Sequence, residues 1–188
     1  MITFDNLCLS GQSKPVDITI PNASIVFLNG ENARNLFTKT PHFGQILYQN
    51  FPISFAQKTF FTKIFLNTAN IMLAKNLTLL ENMQVFSELF GVNEACNLPL
   101  VYFEIPRNLW NVRAKNLDFE TRISAIFGLS LIFQGQICMF EVPKNITEKT
   151  TQKLENIMIS RANHGNCASF YFGQNLGIEK ELKIFLDK

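Results

Sequence analysis

The sequence predicts an α/β protein built on a mixed sheet, with antiparallel strands flanking a parallel core. Three observations predict it. Short alternating segments, "MITFDNLCLS" and "PVDITI", open the chain. Two stretches, "LTLLENMQVFSELFG" and "TEKTTQKLENIMISRANHG", carry helical periodicity between recognisable caps and glycine stops. Two continuous apolar runs, "QICMFEVP" and "NCASFYF", each follow a helical stretch directly. Helix, buried strand, helix, buried strand is the pattern of a parallel core whose strands are covered on both faces.

In chain order, the two alternating segments read as half-buried antiparallel strands. "SIVFLN" is a buried strand that turns at Gly30, and "GQILYQ" and "KTFFTKIFL" are further strands. Thr78 is an N-cap, and Glu81 three residues on completes a capping box. Leu79, Met83, Phe86 and Phe90 fall at three- and four-residue steps, and Gly91 suits the C-terminal stop. "DFETRISAIFGLSLIF" places Ile123, Ile126, Phe127, Ser130 and Phe133 near helical spacing. The run "QICMFEVP" is a strand that ends at Pro143. Thr147 caps the next helix, Gly165 stops it, and "NCASFYF" is the last strand of the pattern. The whole of 1–188 reads as one domain.

Composition narrows the function. The chain is 47% hydrophobic with nineteen Phe against one Trp, enough apolar material for a sizeable core. A net charge of +2 from 17 scattered basic residues offers no basic arm or patch for nucleic acid. Cys8, Cys96, Cys138 and Cys167 lie far apart, and His42 and His164 have no partner at metal-ligand spacing. Zinc-ribbon and thioredoxin-like readings therefore fail, and free buried thiols suit a reducing cytosol. The N-terminus lacks the basic region and long apolar core of a signal peptide. No run approaches the roughly 18 apolar residues of a membrane span. A cytoplasmic protein is expected, able to sit peripherally on the inner face of the membrane through a partner.

This order of elements resembles the ATP-binding subunit of an ABC transporter, a P-loop NTPase fold, over nearly the whole chain. The small heme-exporter subunits of cytochrome c maturation are the most similar in size and wording. "GQILYQNFPI" looks like the strand after that family's first helix, and "LTLLENMQVFSELFG" like the start of its helical subdomain, which the resemblance implies is inserted in the core over roughly 68–135. The family's phosphate loop reads G-x-N-G-x-G-K-[ST]-T. Laid on Gly30 to Thr38, the chain keeps Gly30, Asn32 and Thr38. Ala33 and Asn35 stand where glycines belong, Leu36 at the lysine and Phe37 at the magnesium-binding hydroxyl. Arg34 lies in the loop as either an alternative anion ligand or a surface arginine. Glycines let N–H groups close around phosphate oxygens and lysine neutralises the β and γ phosphates; leucine does neither. Only seven residues, Leu36 to His42, then precede Phe43-Gly44, with Pro41 among them. The helix that normally follows is expected to be a stub of about two turns.

The resemblance continues without a gap from Leu117 to Pro143. The family's L-S-G-G-Q signature becomes Leu117-Asp118-Phe119-Glu120-Thr121. The two acids would repel a partner's γ-phosphate; they equally suit the first turn of a helix. The family's D-E-P strand ending becomes Glu141-Val142-Pro143. Glu141 is a weak candidate for the magnesium side and otherwise a solvated or paired carboxylate; Val142 cannot act as a general base. A one-residue slip would make Glu141 the base and leave Phe140 at the aspartate. No glutamine stands near Asn67 to Asn70, where the Q-loop falls, and no histidine near Gly173, where the switch falls.

The resemblance thus implies an ABC-type ATPase subunit, of the heme-export or cytochrome c biogenesis kind, with a degenerate nucleotide site. Little or no hydrolysis is expected, with no catalytic residue and no resident metal assigned; ATP and magnesium would bind only if the site still works. Implied partners are a membrane permease subunit, an ABC-type ATPase subunit in a homo- or heterodimer, or both. Two alternatives stay open: an active but atypical ABC ATPase working with an intact partner, and an unrelated α/β interaction module. Topology separates the last, because an ABC-type core needs Ser24–Asn29 and Ile137–Glu141 near each other in one parallel sheet.

Overall fold

The alternating N-terminal segments pair as their sequence predicts in the computed structural model of the chain, which describes residues 1–10, 12, 14–30, 32–37, 39–53, 64–67, 73–92, 95–133, 135–164, 168–179 and 181–186. Strand β1 (Ile2–Cys8) lies antiparallel to β2 (Val16–Ile20). With β3 (Ile25–Asn29) passing into another sheet, the other neighbour of β1 is β4 (Phe43–Tyr48), followed by the two-residue β5 (Phe51–Pro52). Strict alternation would put Phe4 and Leu7 on opposite faces, yet both are buried. A register shift between them, with Asn6 at φ 50°, turns the second back to the core face.

The second sheet joins β6 (Ile64–Asn67), β7 (Ile137–Val142), β8 (Ala168–Gly173), β3 and β9 (Leu182–Phe185) in the order β6-β7-β8-β3-β9. Every pairing in it is parallel. Strands β3 and β7 flank β8, so the topological requirement of an ABC-type core is met. The continuous apolar runs follow from burial on both faces: Ile137, Cys138, Met139 and Phe140 are all inaccessible or nearly so. The two sheets share one core in which Ile2, Phe4 and Ile46 of the first meet Val26, Met139 and Phe170 of the second.

The chain divides into two compact units: Met1–Thr68 with Gly135–Lys144 and Met158–Lys188, which contain both sheets, and Ala69–Gln134 with Asn145–Ile157, which is helical. The helices of the second unit are α1 (Leu79–Phe90), α2 (Leu98–Tyr102), α3 (Arg107–Trp110), α4 (Phe119–Ile132) and the first part of α5 (Glu148–Asn163). The cap of α1 forms as its sequence specifies. Glu81 N–H donates to Thr78 Oγ1 at 3.2 Å, Thr78 N–H donates to Glu81 Oε2 at 2.7 Å, and Gly91 is left-handed at φ 73°. Helix α4 is buried on most of its surface, from Ile123 to Ser130 without a break. Its Gly128 meets α2 so closely that a Cβ would stand 2.7 Å from that of Pro99.

Helices α2 and α3 and strands β5 and β9 carry no sequence pattern of their own length and were not expected. The predicted helix stop at Gly165, the fourth cysteine Cys167 and the start of the "KTFFTKIFL" strand lie outside the described residues. Among the described residues Cys8, Cys96 and Cys138 are free thiols, and no helix is long and apolar enough to cross a membrane.

Candidate functional site

The loop after β3 begins with Gly30 at φ 112°, a conformation that only glycine adopts without strain. It then closes on itself. Ala33 N–H donates to Gly30 O at 3.2 Å, Asn35 N–H to Asn32 O at 2.9 Å and Leu36 N–H to Ala33 O at 3.2 Å. In place of the expected two-turn stub, Ala33–Asn35 form one 3-10 turn, extended by a Lys39 N–H bond to Asn35 O at 3.1 Å. The stub expectation is corrected to that extent. Pro41 and the early start of β4 leave no room for another turn, and apolar side chains draw the chain inward instead of outward into a helix.

Those side chains are Leu36 and Phe37. Leu36 is 0% exposed and Phe37 1%, and both belong to the core shared by the two sheets. The Phe37 ring meets Phe170 of β8 edge-on, with centroids 5.2 Å apart. A lysine and a hydroxyl would have to stay with the phosphates, but these two residues turn into hydrocarbon. Ala33 is buried with them. Asn32 is 6% exposed, and its Nδ2 has no hydrogen-bond partner. Glu31 and the predicted Thr38 lie outside the described residues.

Arg34 forms an ion pair with Glu141, 107 positions away at the C-terminal end of β7. The arginine side chain is 55% exposed, whereas Glu141 keeps only 16% of its surface. The carboxylate that the sequence offered as a weak magnesium candidate is thus neutralised by a guanidinium from the phosphate-loop position. Val142, beside it, is 1% exposed. Among the described residues no group of three His, Cys, Asp or Glu could hold a metal ion.

The C-terminal ends of the neighbouring strands complete this edge of the parallel sheet. Asn67 ends β6 opposite Phe140, is 0% exposed, and has neither amide atom partnered. Gln174 directly follows β8; its N–H donates to Val142 O at 2.9 Å, and its buried Oε1 is unpartnered. Gly173 allows this junction, since at φ 95° a Cβ would stand 2.3 Å from Val142 O. Gln174 stands one residue beyond Gly173, where the family's histidine would fall, and no local sequence pattern marks its amide. His42 and His164 are both exposed, and His164 Nδ1 lies 2.6 Å from Ser160 O in its own helix.

In the helical unit the signature positions serve two helix starts. Asp118 caps α4, accepting from Thr121 N–H at 2.7 Å and Thr121 Oγ1 at 2.7 Å. The hydrogen bond from the Thr121 backbone, then the one from its hydroxyl, holds the Asp118 carboxyl below its ordinary pKa. Glu120 accepts from Thr147 Oγ1 at 2.7 Å and from Thr147 N–H at 3.2 Å, at the start of α5. Leu117 is buried and Phe119 is 41% exposed. The helix-start reading of these acids therefore describes their geometry.

No family model matches the chain. Among curated proteins it is similar to the cytochrome c biogenesis ATP-binding export protein CcmA of Rickettsia felis, 23% identical over 159 residues that cover 80% of each protein. It is also similar to CcmA of Rickettsia typhi, 25% identical over 157 residues, covering 79% of this chain and 78% of that protein. Among solved structures, a putative ABC transporter ATP-binding protein from Pyrococcus furiosus superposes with a TM-score of 0.76 at 17% identity, covering 98% of this chain and 96% of that one. The cassette MJ0796, as a dimer bound to ADP and Pi, gives 0.79 at 14% identity, with 99% and 94% covered. The chain has the fold of an ABC ATP-binding cassette, and the resemblance read from its sequence is borne out.

Proposed function

We propose that this ABC-cassette-like chain is an ATP-binding-subunit homologue of the heme-export or cytochrome c biogenesis type that hydrolyses little or no ATP by itself. Its role on this reading is that of a non-catalytic or regulatory subunit. It would pair with a second ABC-type ATPase subunit, identical or not, and with a membrane permease, and lie peripherally on the inner face of the membrane. The similarity to CcmA supports the transport class, and the dimeric cassettes among its structural neighbours support pairing.

The observation that carries the reading is the fate of the lysine and hydroxyl positions. Leu36 and Phe37 are buried in the core, and the cation and anion of the site, Arg34 and Glu141, neutralise each other. Neither charge is then available for a phosphate or a magnesium ion. A missing general base alone removes roughly 10²–10⁴-fold in rate. The purified chain is expected to turn over ATP at least about a hundredfold more slowly than an intact cassette assayed beside it. Saturation with magnesium–ATP at a hundred times a real Kd would stabilise the fold by about 2.7 kcal/mol and raise Tm by roughly 5–10 °C. A shift within about 1 °C is expected. A shift of the larger size, or turnover near that of the control, overturns the reading.

A further inference from the structure

We propose that the helical unit carries a lipid-docking surface of its own: Lys75, Arg107, Arg113 and Lys115, with Trp110 among them, contact the anionic phospholipid headgroups of a bilayer. This adds a direct lipid contact to the permease pairing proposed above and does not depend on it.

The four cations are scattered in the sequence, and the fold gathers them. Residues 75–79 and 112–115 run antiparallel: Leu79 N–H donates to Val112 O at 3.0 Å, Ala114 N–H to Leu77 O at 2.9 Å and Lys115 N–H to Lys75 O at 3.2 Å. Lys75 and Lys115 are thereby neighbours, and Arg113 stands opposite Thr78 in an antiparallel bridge. Helix α3 lies just before this clip, and within it Arg107 sits over the Trp110 ring, its Cζ 5.8 Å from the centroid. The indole N–H donates to Ile105 O at 2.9 Å, which fixes the ring. All four cations are exposed and Trp110 is half-buried.

No carboxylate offsets them. Residues 69–80 and 105–117 contain neither Asp nor Glu. The nearest acids along the chain are committed elsewhere: Glu81 to the Thr78 cap, Asp118 to Thr121, and Glu104 to Lys149 and Lys153. Glu81 attracts Arg113 without a salt bridge, and among the described residues none of the four cations forms one. Each such cation held at an anionic bilayer strengthens binding roughly fivefold. Apolar side chains favour a bilayer over other polyanions. Exposed Leu98 and Val101 on α2 precede the cationic segment, exposed Phe119 follows it, and an indole suits headgroup depth. With a net charge of only +2, the chain as a whole has little general attraction for polyanions.

The chain has a single Trp, so Trp110 reports on its own surroundings. Its fluorescence is titrated with vesicles of phosphatidylcholine alone and of equal parts phosphatidylcholine and phosphatidylserine, with and without brominated acyl chains. Co-sedimentation checks binding independently. The anionic vesicles are expected to bind at least about tenfold more tightly than the neutral ones, to lose that margin in about 0.5 M salt, and to quench Trp110 through brominated chains. Lys75→Gln/Lys115→Gln and Arg107→Gln/Arg113→Gln should each weaken binding by about tenfold or more. Arg107→Lys/Arg113→Lys keeps both charges and should bind like wild type, which separates lost charge from lost fold. Lys39→Gln/Lys144→Gln, an equal loss of charge in the sheet-bearing unit, should also bind like wild type. Equal binding to neutral and anionic vesicles, equal weakening by Lys39→Gln/Lys144→Gln, or a Trp110 signal untouched by brominated chains overturns the proposal. Tighter binding of a single-stranded oligonucleotide than of anionic vesicles, at equal phosphate concentration, assigns the patch to nucleic acid and overturns it too. Failure of lipid binding leaves the ATP turnover and thermal-shift predictions as they stand.

Discussion

Leu36 shows the difference between a residue's identity and the destination of its side chain. The resemblance to the cassette phosphate loop sets it at the lysine position, and the proposed loss of a phosphate-neutralising charge starts from that identity. The destination is not visible in the sequence, because nothing in "NARNLFT" says which way each side chain turns. In the structure Leu36 is 0% exposed in the core of the two sheets. Leu36→Lys is therefore expected not to restore nucleotide binding. It should lower stability in urea by at least about 3 kcal/mol, from lost apolar burial and an ammonium forced into hydrocarbon. A variant as stable as wild type would mean the loop can turn this side chain to solvent. The same contrast applies to Arg34 and Glu141: the sequence leaves two readings open for each, and their mutual pairing is outside the reach of either residue's local context.

Among the elements, helix starts were the most legible feature. Thr78 with Glu81, and Asp118 with its first-turn acid, act within three or four residues, so the sequence contains every partner they need. Asp118→Ala should destabilise the helical unit by about 1 kcal/mol, read as a lowered denaturation midpoint. The pH dependence follows from the depressed pKa of the capped carboxyl. Its stabilisation is complete above the ordinary value of 3.8 and is lost as pH falls through the lower folded value. The difference between wild type and Asp118→Ala should then be constant above about pH 5 and shrink below pH 3.8. A difference that grows on acidification would contradict the cap. Less legible were α2, α3 and β9, at five, four and four residues. Elements that short hold too few turns or alternations to show a period, and packing decides them.

For the whole molecule, the phosphate-loop position is tied to the fold through aromatic packing. Phe170 of β8 stacks with Phe4 of β1 at 6.4 Å and meets Phe37 edge-on at 5.2 Å, so one ring joins both sheets and the loop. Phe170→Ala is expected to cost about 3–5 kcal/mol in urea unfolding. Phe37→Ala should cost a comparable amount if the loop is part of the core, and under about 1 kcal/mol if it is not. The sequence by itself determined the α/β class, the order of the longer strands and helices, and the helix caps. These follow from periodicity and from contacts between near neighbours along the chain. Tertiary structure alone decided the strand order β6-β7-β8-β3-β9, the inward turn of Leu36 and Phe37, and the joining of Arg34 to Glu141. Those depend on register and packing between segments up to 107 positions apart, which no local pattern encodes.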